Sequence, residues 1–218
     1  MIARLHVWRV PVRAVPAMFW SMAVDRRKIR KSADFAKLLG TGKGREFGVG
    51  AADLTRWAAI VVGEPAVRPP MRGAVSSCTL TLEPIASRGT WSGSSPFTPT
   101  DPQSTGDQPV AVITRARLRA GRAVAFWRAI DPVARDLRNA EGLYCAFGIG
   151  EAPVGFQGTV SVWRCAADVV RFAYRRPQHA AVVARTPRQG WYAEELFARF
   201  HVLDIDGDRE VIGWRDGQ

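Results

Sequence analysis

With 218 residues, 47% of them hydrophobic, the chain carries enough apolar material for one large or two small packed domains and too much for a disordered protein. The net charge of +11 raises nucleic acid and anionic lipid as partners. However, 27 of the 31 cations are arginines spread over both halves, so nucleic acid is not expected, while peripheral contact with a membrane surface is compatible with the charge. Met1–His6 lacks the apolar stretch of a signal peptide and no run of about eighteen apolar residues occurs, so a cytoplasmic protein is expected. Cys78, Cys145 and Cys165 form no CxxC pair and are odd in number, which favours reduced thiols over a disulfide framework.

In chain order, Leu5–Arg13 alternates and is rich in β-formers, which predicts a strand. Ala17–Leu39 reads as a helix with interruptions, carrying the basic cluster Arg26-Arg27-Lys28-Ile29-Arg30-Lys31, most simply a solvated face. Thr55–Val62 predicts a second strand. Ala86–Pro109, rich in Ser, Thr, Pro and Gly, reads as a loop between two modules; Trp91 and Phe97 within it predict that its first part packs down as a lid or side wall. Strands are then expected over Val110–Leu118, Leu143–Gly148 and Gly158–Trp163, helices over Gly121–Leu137 and Ala166–Tyr174, and a last strand near Arg199–Ile205. Asp206-Gly207, between Val202-Leu203 and Val211-Ile212, predicts a two-residue hairpin.

The two halves repeat one another. Phe19-Trp20 is echoed by Phe126-Trp127, Gly40-Thr41-Gly42 by Gly148-Ile149-Gly150, and Trp57 by Trp163, each pair 106–108 positions apart. The expected fold is therefore α+β: two tandem ferredoxin-like modules, 1–85 and 110–218, joined by 86–109 and forming a pseudo-dimeric α+β barrel whose sheets face each other around a pocket.

Several motifs have a plain structural reading. Asp204-Ile205-Asp206-Gly207-Asp208 resembles a calcium loop, but Arg215 stands where a bidentate Glu belongs, so a turn is expected. Gly40-Thr41-Gly42-Lys43-Gly44 lacks the Ser or Thr of a phosphate loop. His6 and His201 fall in strands, as core or edge residues. Pro177 is suited to open a helix on which His179, Val182, Val183 and Thr186 share one face, so His179 is aimed inward, to be satisfied by hydrogen bonding or by a metal. No second ligand sits at zinc spacing, whereas a haem needs a single axial residue from the protein. Glu194 and Glu195 could act as an acid–base pair, but ion pairing or a solvated helix face is the simpler reading.

Four stretches carry a family resemblance: Gly89-Thr90-Trp91-Ser92-Gly93-Ser94-Ser95-Pro96-Phe97; Ile113-Thr114-Arg115-Ala116 with Phe126-Trp127-Arg128; Gly148-Ile149-Gly150-Glu151-Ala152-Pro153; and Gly190-Trp191 through Phe200. In these the chain resembles the spheroidene monooxygenase family, departing from it at Ser94, where arginine is usual. The resemblance implies a haem-dependent, oxygen-using enzyme that installs a keto group on an acyclic carotenoid or similar isoprenoid. It implies haem b (iron) with His179 as proximal ligand, and Arg175, Arg176 and Arg185 as partners for the propionates. Trp91, Phe97 and Trp191 are candidates for the wall of an apolar substrate pocket. The chain has no flavin or nicotinamide motif, so a ferredoxin-type electron donor is implied. The alternatives are a haem dehydratase or lyase of the aldoxime dehydratase kind, and a non-catalytic haem- or lipid-binding protein.

Overall fold

The computed structural model describes residues 1–43, 51–63, 67–99, 107–119, 121–122, 136–137, 140–151, 156–175 and 191–215. These form eight strands, β1 (Ala3–Arg9), β2 (Phe35–Gly42), β3 (Ala52–Val62), β4 (Ser76–Gly89), β5 (Val110–Leu118), β6 (Leu143–Gly150), β7 (Phe156–Trp163) and β8 (Tyr192–Gly207). Two α-helices accompany them, α1 (Val15–Lys31) and α2 (Ala166–Arg175), with 3-10 turns at Val12–Ala14 and Arg209–Ile212. The strands close into one antiparallel barrel in the order β1-β3-β2-β6-β7-β5-β8-β4. The first four strands thus lie as β4-β1-β3-β2 and the second four as β8-β5-β7-β6, the same order twice. The two seams are unequal. β4 and β8 pair from Cys78↔Gly207 to Gly89↔Leu196, whereas β2 meets β6 only through Gly40↔Gly150 and Thr41↔Ile149.

Period-two alternation sorts the side chains. Leu5, Val7, Leu39, Ile60, Leu80, Leu82, Ile113, Phe147, Val160 and Phe200 fill the barrel. The outward residues Trp8, Leu38, Trp57 and Val61 pack under Met18 and Ile29 of α1, and Trp163 with Ala146 packs beside Val169 and Phe172 of α2. Each half of the barrel therefore carries a helix on its outer surface.

Three expectations are corrected. The first helix ends at Lys31, not Leu39. From Phe35 the pattern changes period, with Ala36 and Leu38 facing α1 and Leu39 facing the barrel, and the chain completes the sheet as β2. The last strand begins at Tyr192 rather than near Arg199, so Glu194 and Glu195 are strand residues. No hairpin forms at Asp206-Gly207. Asp208 instead caps a 3-10 turn by accepting from the Glu210 N–H (2.9 Å), and that turn drives Val211 and Ile212 into the barrel end. There Arg56 Nη1 donates to the Val211 carbonyl (3.2 Å) and stacks on Phe147. β4 holds its pairing with β8 through Gly89.

Candidate functional site

At the opposite end of the barrel the chain leaves β4 and folds into its mouth. Trp91 and Ser94 close a tight turn, with Trp91 N donating to the Ser94 carbonyl (2.8 Å) and Ser92 held at φ 56°. Trp91 and Phe97 are both fully buried in the barrel core. Phe97 meets Phe200 edge-on at 4.9 Å, and Phe35 contacts both Phe97 and Trp91. The part of the loop expected as a lid or wall is thus a plug whose aromatics complete the core.

Around Trp91 lies a network of charges that apolar packing alone would not predict. Arg115, in phase with the inward-facing Ile113 on β5, donates through Nη1 to Glu194 Oε2, and its Nη2 is 3.6 Å from Glu151 Oε1. Trp91 Nε1 donates to the same Glu151 oxygen, and the Arg115 guanidinium lies 5.8 Å from the Trp91 ring. Lys37 on β2 donates to Ser92 Oγ (2.5 Å) and lies 3.6 Å from Glu151 Oε2, which Arg26 of α1 approaches at 3.4 Å. Glu194 also accepts from Gly93 N (2.7 Å) and Thr90 Oγ1 (3.1 Å). Local backbone geometry permits this closeness. At Gly158 a Cβ would collide with the Thr114 carbonyl, so glycine lets β7 approach β5 beside Arg115.

The electrostatics follow from this crowding. Burial opposes the Glu194 charge, but the Gly93 N–H and the Arg115 guanidinium together outweigh it and hold the carboxyl at about 2. Burial is also the largest influence on Lys37, lowering its pKa; Glu151 works against that effect, while Arg26 and Arg115 reinforce it.

Beside this network lies a cavity of about 10 Å³, the size of a single water, lined by Leu39, Trp91, Arg115, Ile149, Gly150, Glu151 and Gln157. It sets Leu39 and Ile149 against the side chains of Arg115 and Glu151. Such a site suits a single water, because Arg115 and Gln157 offer donors and Glu151 an acceptor.

Of the residues singled out in the sequence, Trp91 lines this cavity. Phe97 and Trp191 are buried but do not line it; Trp191 sits at the head of β8, its carbonyl accepting from Arg119 N (2.8 Å). Arg175 is the last residue of α2, and His179, Arg176 and Arg185 lie outside the described residues. Among the described residues no group of three or more His, Cys, Asp or Glu could hold a metal ion. The cavity is also well below the roughly 300–1,000 Å³ of ordinary small-molecule sites. Sequence reasoning gave Lys37, Arg115 and Glu151 no role in the site, although Arg115 and Glu151 stand in stretches that carry the family resemblance. A cation in the inward phase of an apolar strand, as in Ile113-Thr114-Arg115, was the available signal for Arg115.

Trp91, Arg115, Ile149-Gly150-Glu151 and Glu194 come from the four separate stretches that carry the family resemblance, and the fold brings all four to this one end. No family model matches the chain. It is 33% identical to the spheroidene monooxygenase of Rubrivivax gelatinosus, an alignment covering 80% of this chain and 71% of that protein. The chain belongs to the spheroidene monooxygenase family. Spheroidene monooxygenase of Rhodobacter capsulatus is 29% identical over 94% of this chain and 92% of its own length. Among solved structures, an aldoxime dehydratase superposes with a TM-score of 0.54 at 11% identity, covering 93% of this chain and 81% of that one. An aldoxime dehydratase in complex with butyraldoxime gives 0.56 at 13% identity, over 93% and 79%. These likenesses concern the fold alone.

Proposed function

We propose that this protein is a monooxygenase that introduces a keto group into an acyclic carotenoid or a closely related apolar isoprenoid. The observation that carries the reading is the 33% identity to a spheroidene monooxygenase over most of both chains. The repeated strand order supports two ferredoxin-like modules, 1–85 and 110–218, as the halves of the barrel.

The proposed cofactor is haem b, with His179 as axial ligand and Arg175, Arg176 and Arg185 as propionate partners; these assignments rest on the family resemblance. When bound, the group would supply activation of dioxygen, with electrons from a ferredoxin-type donor. The role proposed for the charged network is to position Trp91 and the turn that closes this end of the barrel. Glu151 and Glu194 keep the Arg115 guanidinium in place.

The test of the cofactor is the ultraviolet–visible spectrum of protein expressed with haem precursor, before and after dithionite and carbon monoxide. A stoichiometric Soret band without the strongly red-shifted carbon monoxide form of a thiolate-ligated haem is expected, and His179→Ala should lose most of it. A full haem complement with an unchanged spectrum in His179→Ala would reassign the ligand, with Cys145 and Cys165 next to be replaced.

A further inference from the structure

We infer that α1 is a membrane-docking helix, which seats the protein on an anionic lipid surface with its first half in the headgroup–acyl boundary and its second half on the phosphates. The burial pattern divides the helix into two stripes. Met18, Ser21, Asp25 and Ile29 face the protein, whereas Ala17, Trp20, Val24, Arg27 and Lys31 form one outward row at alternating spacings of three and four.

The outward row is apolar for its first two turns and cationic for its last two. Trp20 is 73% exposed and Val24 40%, and they are flanked by Phe19 (51%) and by Val12 (77%) in the turn that leads into the helix. Arg26, Arg27, Lys28, Arg30 and Lys31 follow. Opposite charge is missing from this face. The single acidic residue of the helix, Asp25, is buried, accepts from Ser21 Oγ (2.5 Å) and is met by Arg72 at 3.6 Å and Lys28 at 4.0 Å.

An exposed tryptophan beside aliphatic residues suits the headgroup level of a membrane, and the run of exposed cations that follows, with no exposed acid on the helix, suits anionic lipid. At 17 residues it spans about 25 Å, and among the described residues no helix is long and apolar enough to cross a membrane. It therefore lies in the plane of the surface. An acidic protein partner would account for the cations but not for the solvent-exposed Trp20. Arg26 joins this helix to the charged network through Glu151, so the lipid-facing element and that network are one connected piece.

The inference is independent of the proposed chemistry, because its test contains no carotenoid. The full chain would be sedimented with vesicles of phosphatidylcholine alone and of phosphatidylcholine mixed with phosphatidylglycerol, at low and high salt. Salt-sensitive binding confined to the mixed vesicles is expected. Trp20→Ser should lower partitioning about tenfold. Arg27→Glu with Lys31→Glu should lower it by about thirtyfold or more, at roughly fivefold for each cation lost. These positions are exposed, so circular dichroism should be unchanged in both variants. Arg117→Glu with Arg122→Glu, which changes the net charge equally in the other half of the chain, should bind as the unmodified protein does. Equal loss in that control, binding unaffected by the α1 changes, or no binding to mixed vesicles would overturn the inference. Loss of an acidic ferredoxin in the α1 variants, with vesicle binding intact, would assign the helix to the redox partner instead.

Discussion

Arg115 sits between two buried carboxylates that also have other partners, so its worth is measured by what its loss leaves behind. Arg115→Met leaves Glu194 to the Gly93 N–H and Thr90 hydroxyl and Glu151 to Trp91, Lys37 and Arg26, and should destabilise the protein by about 1–3 kcal/mol. Adding Glu194→Gln should return part of that loss, and a double-mutant cycle from urea unfolding reads the coupling directly. Purely additive effects would mean that the pair does not interact. His6 is a second buried group with a legible consequence. It is 2% exposed, its Nδ1 lies 3.0 Å from Thr79 Oγ1, and burial, aided by Arg68 and Arg4, lowers its pKa from 6.5 to about 4. Between those values the unfolded chain takes up a proton that the folded chain does not. Stability should therefore fall by about 3 kcal/mol as pH drops from 6.5 to 4. Melting temperatures across that window should flatten in His6→Gln. Glu194 acts in a lower window: its contribution is present above 4.5 and is lost as pH falls through about 2.

At the scale of elements, the β4–β8 seam determines where the plug enters. Gly89 sits at φ 84° with the Glu195 carbonyl where a Cβ would be, so the strands can stay close until the chain turns into the mouth. Gly89→Ala should cost about 2 kcal/mol or more and lower the thermal midpoint, and an unchanged midpoint would mean that the seam can relax. This element also shows what the sequence could reveal. β5 matches the expected Val110–Leu118 residue for residue, because the β-branched run at its start, following the Pro-rich loop, admits one reading. β2 was hidden because Phe35–Leu39 continues the composition of the basic helix, and the change of period becomes decisive only once the opposing β3 and β6 supply ladder partners. The 3-10 turn after Gly207 was likewise hidden, since Val211-Ile212 suits a returning strand until the open barrel end is there to receive it. At the site, Trp91 was legible as an aromatic out of place in a loop. Arg115, Glu151 and Lys37 were not, because inward charges on apolar strands find their compensation only in residues far away in sequence.

The whole molecule joins a closed barrel plugged at one end by Trp91 and Phe97, a charged network at that end, and a cationic helix tied to it through Arg26. The barrel scaffold is shared with aldoxime dehydratases at low sequence identity, so the scaffold does not choose the reaction. The family does, and it assigns oxygen insertion rather than dehydration. The most direct measurement is turnover of spheroidene by the purified, haem-loaded protein with ferredoxin and its reductase, analysed by chromatography and mass spectrometry with and without dioxygen. The expected result is a ketocarotenoid formed only when both oxygen and reductant are present. Carotenoid left unchanged under those conditions, with haem bound, or a reaction that proceeds equally without oxygen, would contradict it.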